Sequence, residues 1–238
     1  TLAIVNAMGS SIAREADMLI YTHAGPEIAV ASTKAYMVQI AVMYLFAFEL
    51  ALAVGKIDET ECRRLVQLLQ DTSDTITGIL EHKEQAQYIA SSLITADSLL
   101  YIGRGLDYAL SMEGSLKLKE ISYIHSEAYP SGELKHGPIA LIEKGTTVIG
   151  TITDPALVDK SVSNLKEVIT RGAKVLVVTN RDVRASDIDT LIRVPETHPL
   201  LAPAVSILPY QLLSYYIAKQ NGLDVDKPRN LAKSVTVE

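Results

Sequence analysis

Short apolar runs alternate with longer helical patterns through residues 98–220, and this alternation restricts the possible fold more than any other feature. The predicted strands are Ser98–Ile102, Thr147–Thr153, Lys174–Thr179 and Leu191–Val194. The predicted helices run from Asp107 to about Ser122, from Pro155 to Arg171 and from Val205 to Gln220. Strands that alternate with helices form a parallel sheet covered on both faces. We therefore predict a doubly wound, flavodoxin-like α/β fold, in which ligands bind at the carboxyl ends of the strands.

The first 97 residues contain two short strand patterns followed by a series of helices. The predicted strands are Leu2–Val5 and Met18–Tyr21, and the predicted helices are Ser11–Ala16, Ala29 to about Val54, Asp58 to about Asp71, Ser73–Leu80 and Lys83–Thr95. Gly55 is expected to end the long helix, as glycine often does. Asp58, with Glu61 three residues later, has the spacing of a helix N-cap. The last three helices predict a helical connector before the alternating region.

Composition limits the class of protein. With 238 residues, of which 48% are hydrophobic, the chain is long enough for one large domain or two small ones. A net charge of -6 argues against a nucleic-acid-binding surface, which needs clustered Lys and Arg. The single cysteine, Cys62, excludes an intramolecular disulfide framework and fits a reducing cytosol. The five histidines are scattered without metal-ligand spacing, so no metal is expected.

One apolar run, Met37–Val54, approaches the length of a membrane span. Gln39 and Glu49 interrupt it, and neither tryptophan nor basic anchors flank it. We interpret it as a buried helix at a contact between domains or subunits. The amino terminus lacks the basic region and long apolar core of a secretory signal.

Acids, lysines and histidines are dense between Glu113 and Pro138. On a helix, Glu113, Lys117 and Glu120 would share one face at i, i+4 and i+7, and His136 follows in a loop. Glu and His are the usual general acids and bases, so the segment is a candidate proton-transfer site. Surface ion pairs of the same spacing are common, however, so a solvated helix face is the alternative interpretation.

The tripeptide Gly103-Arg104-Gly105 follows a predicted strand and has two interpretations. Its backbone N–H groups could approach a phosphate at a helix N-terminus, or it could be a structural turn. The glycine spacings of P-loops and of dinucleotide sites are both absent, which favours the turn.

Four separate motifs, in order along the chain, resemble the glutamine–fructose-6-phosphate aminotransferase family, also called glucosamine-6-phosphate synthases. They are Gly25-Pro-Glu-Ile-Ala-Val-Ala-Ser-Thr-Lys34, Leu116-Lys-Leu-Lys-Glu-Ile-Ser-Tyr-Ile-His125, Gly132-Glu-Leu-Lys-His-Gly-Pro138 and the terminal Pro228-Arg-Asn-Leu-Ala-Lys-Ser-Val-Thr-Val-Glu238. The resemblance implies the isomerase part of an enzyme that makes glucosamine 6-phosphate from fructose 6-phosphate and glutamine-derived ammonia. It also implies a cytoplasmic homodimer, an amino-terminal glutaminase domain elsewhere in the full-length protein, and no cofactor.

The resemblance assigns a role to each candidate residue. The catalytic residues would be His136, which helps open the sugar ring, Glu120, which moves a proton between C1 and C2, Lys117, which stabilises the enolate oxygen, and Lys233, which forms an imine with the open ketose. The substrate-binding residues would be Val30, Ser32 and, through its backbone, Ala232. In this family the histidine serves the neighbouring subunit's pocket, which is why a dimer is expected.

The resemblance also divides the chain into three parts. Residues 1–57 would be the second half of a first SIS (sugar isomerase) domain, residues 58–222 a helical connector and a second SIS domain, and residues 223–238 a tail over the sugar site. The loop that holds the sugar phosphate belongs to the other half of the first domain, and no equivalent is found in this sequence. By itself the 238-residue chain is therefore expected to lack synthase activity and micromolar binding of fructose 6-phosphate.

Two other functions stay open at this point. A stand-alone SIS isomerase of sugar phosphates would show no glutamine requirement. A non-catalytic SIS sensor of sugar phosphates would tolerate the loss of Glu120.

Overall fold

The computed structural model describes residues 1–184 and 186–233. The strands are β1 Leu2–Val5, β2 Met18–Tyr21, β3 Ser98–Gly103, β4 His125–Pro130, β5 Thr147–Ile152, β6 Lys174–Thr179 and β7 Thr190–Arg193. The helices are α1 Ser11–Glu15, α2 Lys34–Ala53, α3 Glu59–Glu81, α4 Glu84–Ser91, α5 Leu106–Ser122, α6 Val158–Ile169, α7 Ala202–Ser206 and α8 Leu208–Gln220.

A five-stranded sheet with the order β4-β3-β5-β6-β7 forms the centre of the larger unit, and all its strands are parallel. Its inner strands are buried on both faces, because successive side chains point to opposite sides. Leu99 and Tyr101 pack toward α4, α5 and α8, whereas Leu100 and Ile102 pack toward α6. The predicted doubly wound α/β architecture is confirmed.

Strand β4 is absent from the sequence prediction, which assigned no element to residues 125–130. Its sequence, His-Ser-Glu-Ala-Tyr-Pro, has no apolar run because β4 is an edge strand paired only with β3. The pairing, from Ser98 with His125 to Gly103 with Pro130, is a long-range backbone interaction that no local pattern reveals. Proline is tolerated here because it ends the edge strand. Two 3₁₀ turns follow, Ser131–His136 and Pro138–Leu141.

Several predicted helices have different limits in the structure, and the differences at α2 and α3 have a clear cause. Helix α2 begins at Lys34 rather than Ala29, since the backbone N–H groups of the preceding loop bind outside the helix. Helix α3 continues past Asp71 without the predicted break. The hydroxyl groups of Thr72, Thr75 and Thr77 each bond to a carbonyl three or four residues earlier, so they do not interrupt the helix.

The residues that were predicted to mark helix ends do so in the structure. Asp58 Oδ1 accepts a hydrogen bond from Glu61 N at 2.8 Å, which is the predicted N-cap of α3. Gly55, the predicted end of α2, follows that helix with φ of +69°, a value that favours glycine.

The smaller unit consists of the parallel pair β1–β2 with α1 and α2. Helix α2 packs against α3 through Phe48 and Leu65, with Cys62 and Leu201 in the same cluster. Within this single chain only 11% of the apolar stretch of α2 is buried, so its burial at a contact between subunits stays a prediction. Two segments of the described chain, Lys34–Ala53 and Pro199–Gln220, match a membrane span by length and hydropathy, and the second is a core segment, 78% buried.

Candidate functional site

Helix α5 presents Glu113, Lys117 and Glu120 on one face, as their spacing predicts. Lys117 Nζ lies 2.6 Å from Glu120 Oε2 and 3.6 Å from Glu113 Oε1. The side chain of Lys117 is only 4% exposed, and those of Glu113 and Glu120 are 13% and 23% exposed. The alternative of a solvated helix face is therefore wrong. A lysine at this depth needs paired carboxylates, because an isolated buried charge is very costly.

The two carboxylates have different surroundings. Burial raises the pKa of Glu113, against the lowering effect of Lys117 and with a further raising effect of Glu120. Glu120 Oε2, although close to the ammonium group, accepts no well-directed hydrogen bond from the described residues. This oxygen is buried, and Lys117 balances its charge.

The loop that precedes α2 is organised by Glu27. Its Oε1 accepts hydrogen bonds from Thr33 N at 2.9 Å and from Ala35 N at 3.3 Å. Partial burial acts to raise the pKa of Glu27, but these N–H groups, Ser32 and the charge of Lys233 together lower it. Residues 28–33 consequently form a bent loop in place of the predicted first helical turn.

Helix α5 and this loop enclose a pocket of about 130 Å³. The residues around it come from four parts of the chain: Ala29, Ala31, Thr33, Lys117, Ile121, Gln211, Tyr215, Val225 and Asp226. The loop follows the carboxyl end of β2, whereas Lys117 lies in the second half of α5, toward the amino ends of β3 and β4. The loop therefore lies at the carboxyl end of β2, whereas Lys117 lies away from the carboxyl ends of the five-stranded sheet; a ligand site at the strand ends stays a prediction.

The segment after α8 crosses this pocket and is tied to it. Asp226 O accepts a hydrogen bond from Val30 N at 2.9 Å, so this expected sugar-pocket residue has its N–H already bound. Arg229 N donates to Tyr123 Oη at 2.7 Å. Between α5 and the tail an open pocket of about 430 Å³ is lined by Glu120, Tyr123 and residues 229–231, among others.

The expected tail residues follow this segment. Ala232 and Lys233 are exposed, and the charge of Lys233 acts on Glu27. Residues 234–238, the last part of the predicted tail, lie outside the described residues.

His136 is not brought to the other candidates within one chain. It ends the first 3₁₀ turn after β4, is 72% exposed, and its Nδ1 lies 2.8 Å from Glu133 Oε2. Glu120 lies near the start of β4, because α5 runs back to the amino end of that strand. A six-residue strand spans about 20 Å, so the two residues lie at opposite ends of β4.

The turn at Gly103-Arg104-Gly105 is filled by protein groups. The buried Asp107 carboxylate accepts a hydrogen bond from Thr153 N at 2.9 Å and one from its hydroxyl group, and burial raises the pKa of Asp107. Arg104 donates twice to Asn164 Oδ1, at 3.0 and 2.7 Å. These contacts favour the structural turn over a phosphate site. Across residues 1–184 and 186–233, no three His, Cys, Asp or Glu side chains form a group suited to a metal ion.

Sequence reasoning missed Glu27, Tyr123 and Gln211. Only Glu27 had a usable signal, as an acidic residue just before a predicted helix, where its charge favours the N-terminus. Tyr123 follows a predicted helix and Gln211 lies within one, and their partners are distant in sequence.

Known proteins resemble this chain along its whole length. The family model described as the SIS domain matches residues 1–48 and 92–218. Two curated proteins named glutamine–fructose-6-phosphate aminotransferase [isomerizing] match the whole chain, one from Caldanaerobacter subterraneus subsp. tengcongensis at 51% identity and one from Clostridium tetani at 52%. The chain spans 39% of the length of each.

A solved structure agrees with these matches. The C-terminal domain of glucosamine-fructose-6-phosphate aminotransferase from Francisella tularensis is 37% identical, with a TM-score of 0.90 over 95% of this chain and 65% of that chain. The resemblance inferred from the four motifs is thereby confirmed. The chain belongs to the SIS domain family, and within it resembles the C-terminal region of the glutamine–fructose-6-phosphate aminotransferases.

Proposed function

We propose that this chain acts as the isomerase region of a glutamine–fructose-6-phosphate aminotransferase, which forms glucosamine 6-phosphate from fructose 6-phosphate and glutamine-derived ammonia. The observation that supports this most is the buried Lys117, held between Glu113 and Glu120 and lining a pocket with the 28–33 loop. Relatives that match the whole chain carry the name of that activity.

The chemistry required at C1 and C2 matches this group of residues. Glu120 takes a proton from C1 of the 2-imine of the sugar, which gives an enolamine, and returns the proton at C2. The hydroxyl proton on O1 is lost as the aldehyde forms, and the positive charge of Lys117 stabilises the charge that develops on that oxygen. Glu120 also lines the open pocket between α5 and the tail, where a bound sugar would reach its carboxyl group.

The tail supplies the amine. Lys233 Nζ adds to the C2 carbonyl of the open ketose, water leaves, and ammonia then displaces the lysine from the imine. A lysine is required because carbon acids next to an iminium are far more acidic than those next to a carbonyl. Val30, Ser32 and the backbone of Ala232 contact the sugar. Glu27 holds the loop that carries the first two residues, since its carboxylate accepts hydrogen bonds from Thr33 N and Ala35 N.

His136 opens the sugar ring in the pocket of a partner subunit. Its 72% exposed side chain and its place at the far end of β4 from Glu120 support a role in another chain's site. The proposal includes a homodimer in the cytoplasm, a glutaminase domain in the full-length protein, and no cofactor. The proposed boundaries are residues 1–57, 58–222 and 223–238, and the start of α3 at Glu59 agrees with the first of them.

The test uses the full-length enzyme that contains this chain. Glu120→Gln is expected to abolish deuterium exchange at C1 and C2 while sugar binding is largely kept, because a general base contributes about 10²–10⁴-fold to rate and little to ground-state affinity. Glu59→Gln, at a 74% exposed carboxylate of α3, is the matched control and should exchange normally. Near wild-type exchange in the Glu120 variant would remove this residue from the role of general base, whereas absence of exchange in the wild-type enzyme would favour the sensor alternative.

A further inference from the structure

Helix α5 ends in an unusual backbone conformation three residues after Glu120. Tyr123 has φ of +63°, in the left-handed region that non-glycine residues rarely adopt. This conformation turns the chain out of the helix and leaves the tyrosine ring beside the tail.

Both polar contacts of this ring come from one residue of the tail. Tyr123 Oη accepts a hydrogen bond from Arg229 N at 2.7 Å, and the Arg229 guanidinium carbon lies 4.2 Å from the ring centroid. The two residues are 106 positions apart in sequence, so the contact is a tertiary one. The Arg229 guanidinium is attracted to the face of the Tyr123 ring. The hydrogen bond from Arg229 N fixes the position of the tail backbone relative to the Tyr123 hydroxyl group.

The tail is also fixed on the other side of the buried Pro228. Asp226 O accepts from Val30 N at 2.9 Å, and Asp224 Oδ1 accepts from the backbone N–H groups of Asp226 and Lys227, each at 3.0 Å. The tail therefore reaches Arg229 along a defined path. Beyond it, four residues lead to Lys233, a span of at most about 14 Å.

We propose that Tyr123 is a positioning residue for the imine-forming lysine: by holding Arg229, it limits Lys233 to the region beside Glu120 and Glu27. This inference rests on the proposed function, since it requires that Lys233 bind the sugar carbonyl. The location of Tyr123 explains how the position of the tail depends on the position of the proton-transfer groups. The same residue ends the helix that carries Glu120 and Lys117, so one turn of backbone relates the proton-transfer groups to the tail.

Borohydride trapping on the full-length enzyme tests the inference. With fructose 6-phosphate, borohydride reduces the imine to a stable secondary amine on Lys233, and the rate of labelling is measured. Tyr123→Phe keeps the ring and removes the hydrogen-bond acceptor, and trapping is expected to slow by about 3–10-fold. Tyr88→Phe, at an 81% exposed tyrosine in α4, is the control and should trap at the wild-type rate.

Two further measurements separate positioning from a general loss of structure. Trypsin cleavage after Arg229 and Lys233 should become faster in Tyr123→Phe while the melting temperature and the trypsin resistance of the rest of the chain stay unchanged. Arg229→Ala leaves α5 unaltered and should also slow trapping, which covers the case in which the tyrosine variant fails to fold. Wild-type trapping rates in both variants would overturn the inference. Absence of trapping in the wild-type enzyme would instead reject the imine itself, and with it the proposed function of Lys233.

Discussion

Replacing Lys117 by methionine tests whether its ammonium group stabilises two carboxylates in a buried site. Methionine keeps a similar apolar stem and removes the charge. In the structure the ammonium lies 2.6 Å from Glu120 Oε2 and 3.6 Å from Glu113 Oε1. The variant would leave two carboxylates, 13% and 23% exposed, without their common cation.

The size of the effect follows from burial and from the pKa of Glu113. Removing one partner of a buried ion pair costs about 3–5 kcal/mol, because the remaining charge is uncompensated. Glu113 reduces this cost, since burial already raises its pKa and the loss of Lys117 would raise it further, so that it takes up a proton readily. We therefore expect a loss of about 2–4 kcal/mol in the free energy of unfolding near pH 8.

The loss should depend on pH with a defined sign. A carboxyl group whose pKa is higher in the folded than in the unfolded state lowers stability as pH rises through the folded pKa, because the folded state disfavours its ionised form. Lys117→Met raises the folded pKa of Glu113 beyond that of the wild type. The difference in stability between variant and wild type should therefore be smallest near pH 5 and grow toward pH 8.

Urea unfolding followed by far-UV circular dichroism at both pH values measures this difference. Lys119→Met is the matched control, because Lys119 lies on the same helix with an exposed side chain. A second variant, Lys117→Met with Glu120→Gln, should recover part of the loss, since one of the unpaired charges is removed. Equal and pH-independent effects of Lys117→Met and Lys119→Met would refute the argument that Lys117 compensates buried carboxylates.

Two further predictions concern packing and the tail. A Cβ at Gly114 would lie 2.9 Å from ring atoms of Tyr210 and 3.1 Å from Tyr101, so Gly114→Ala should destabilise the protein by about 1–3 kcal/mol. A Cβ at Gly78 would have no atom within 4 Å, so Gly78→Ala should stabilise α3 by about 0.5–1 kcal/mol. Thermal unfolding measures the stability of the two variants. If Gly114→Ala were stabilising as well as Gly78→Ala, the predicted clash would be refuted, because α5 and α8 would then move apart without cost. Deleting residues 231–238 should leave the fold intact and abolish borohydride trapping in the full-length enzyme, and undiminished trapping would contradict the role of Lys233.

Where local pattern decides, prediction from the sequence was accurate. The limits of β1, β2 and β6 were predicted to the residue, and α5 starts only one residue earlier than predicted. These elements have an apolar run or a helical period of their own, and adjacent glycines or caps mark several of their ends. The shared face of Glu113, Lys117 and Glu120 follows from the same helical geometry, and so could be read from spacing alone.

Elements that depend on distant partners were missed or misplaced. Strand β4 exists because β3 offers its edge, and α2 starts late because Glu27 and Asp226 take the N–H groups of the loop. The burial of Lys117 was likewise undecided by the sequence, since a solvated pair and a buried one have the same spacing.

The sequence therefore determined the alternating α/β architecture, the family and the row of charges on α5, because each of these depends on residue types within a short window. Tertiary structure alone decided that this row is buried, that the 28–33 loop and the tail close over it, and that His136 lies at the opposite end of β4. The physical reason is that burial and long-range hydrogen bonds depend on which surfaces meet. The meeting of α5 with a tail more than 100 residues later, through Tyr123 and Arg229, has no local signature in the chain.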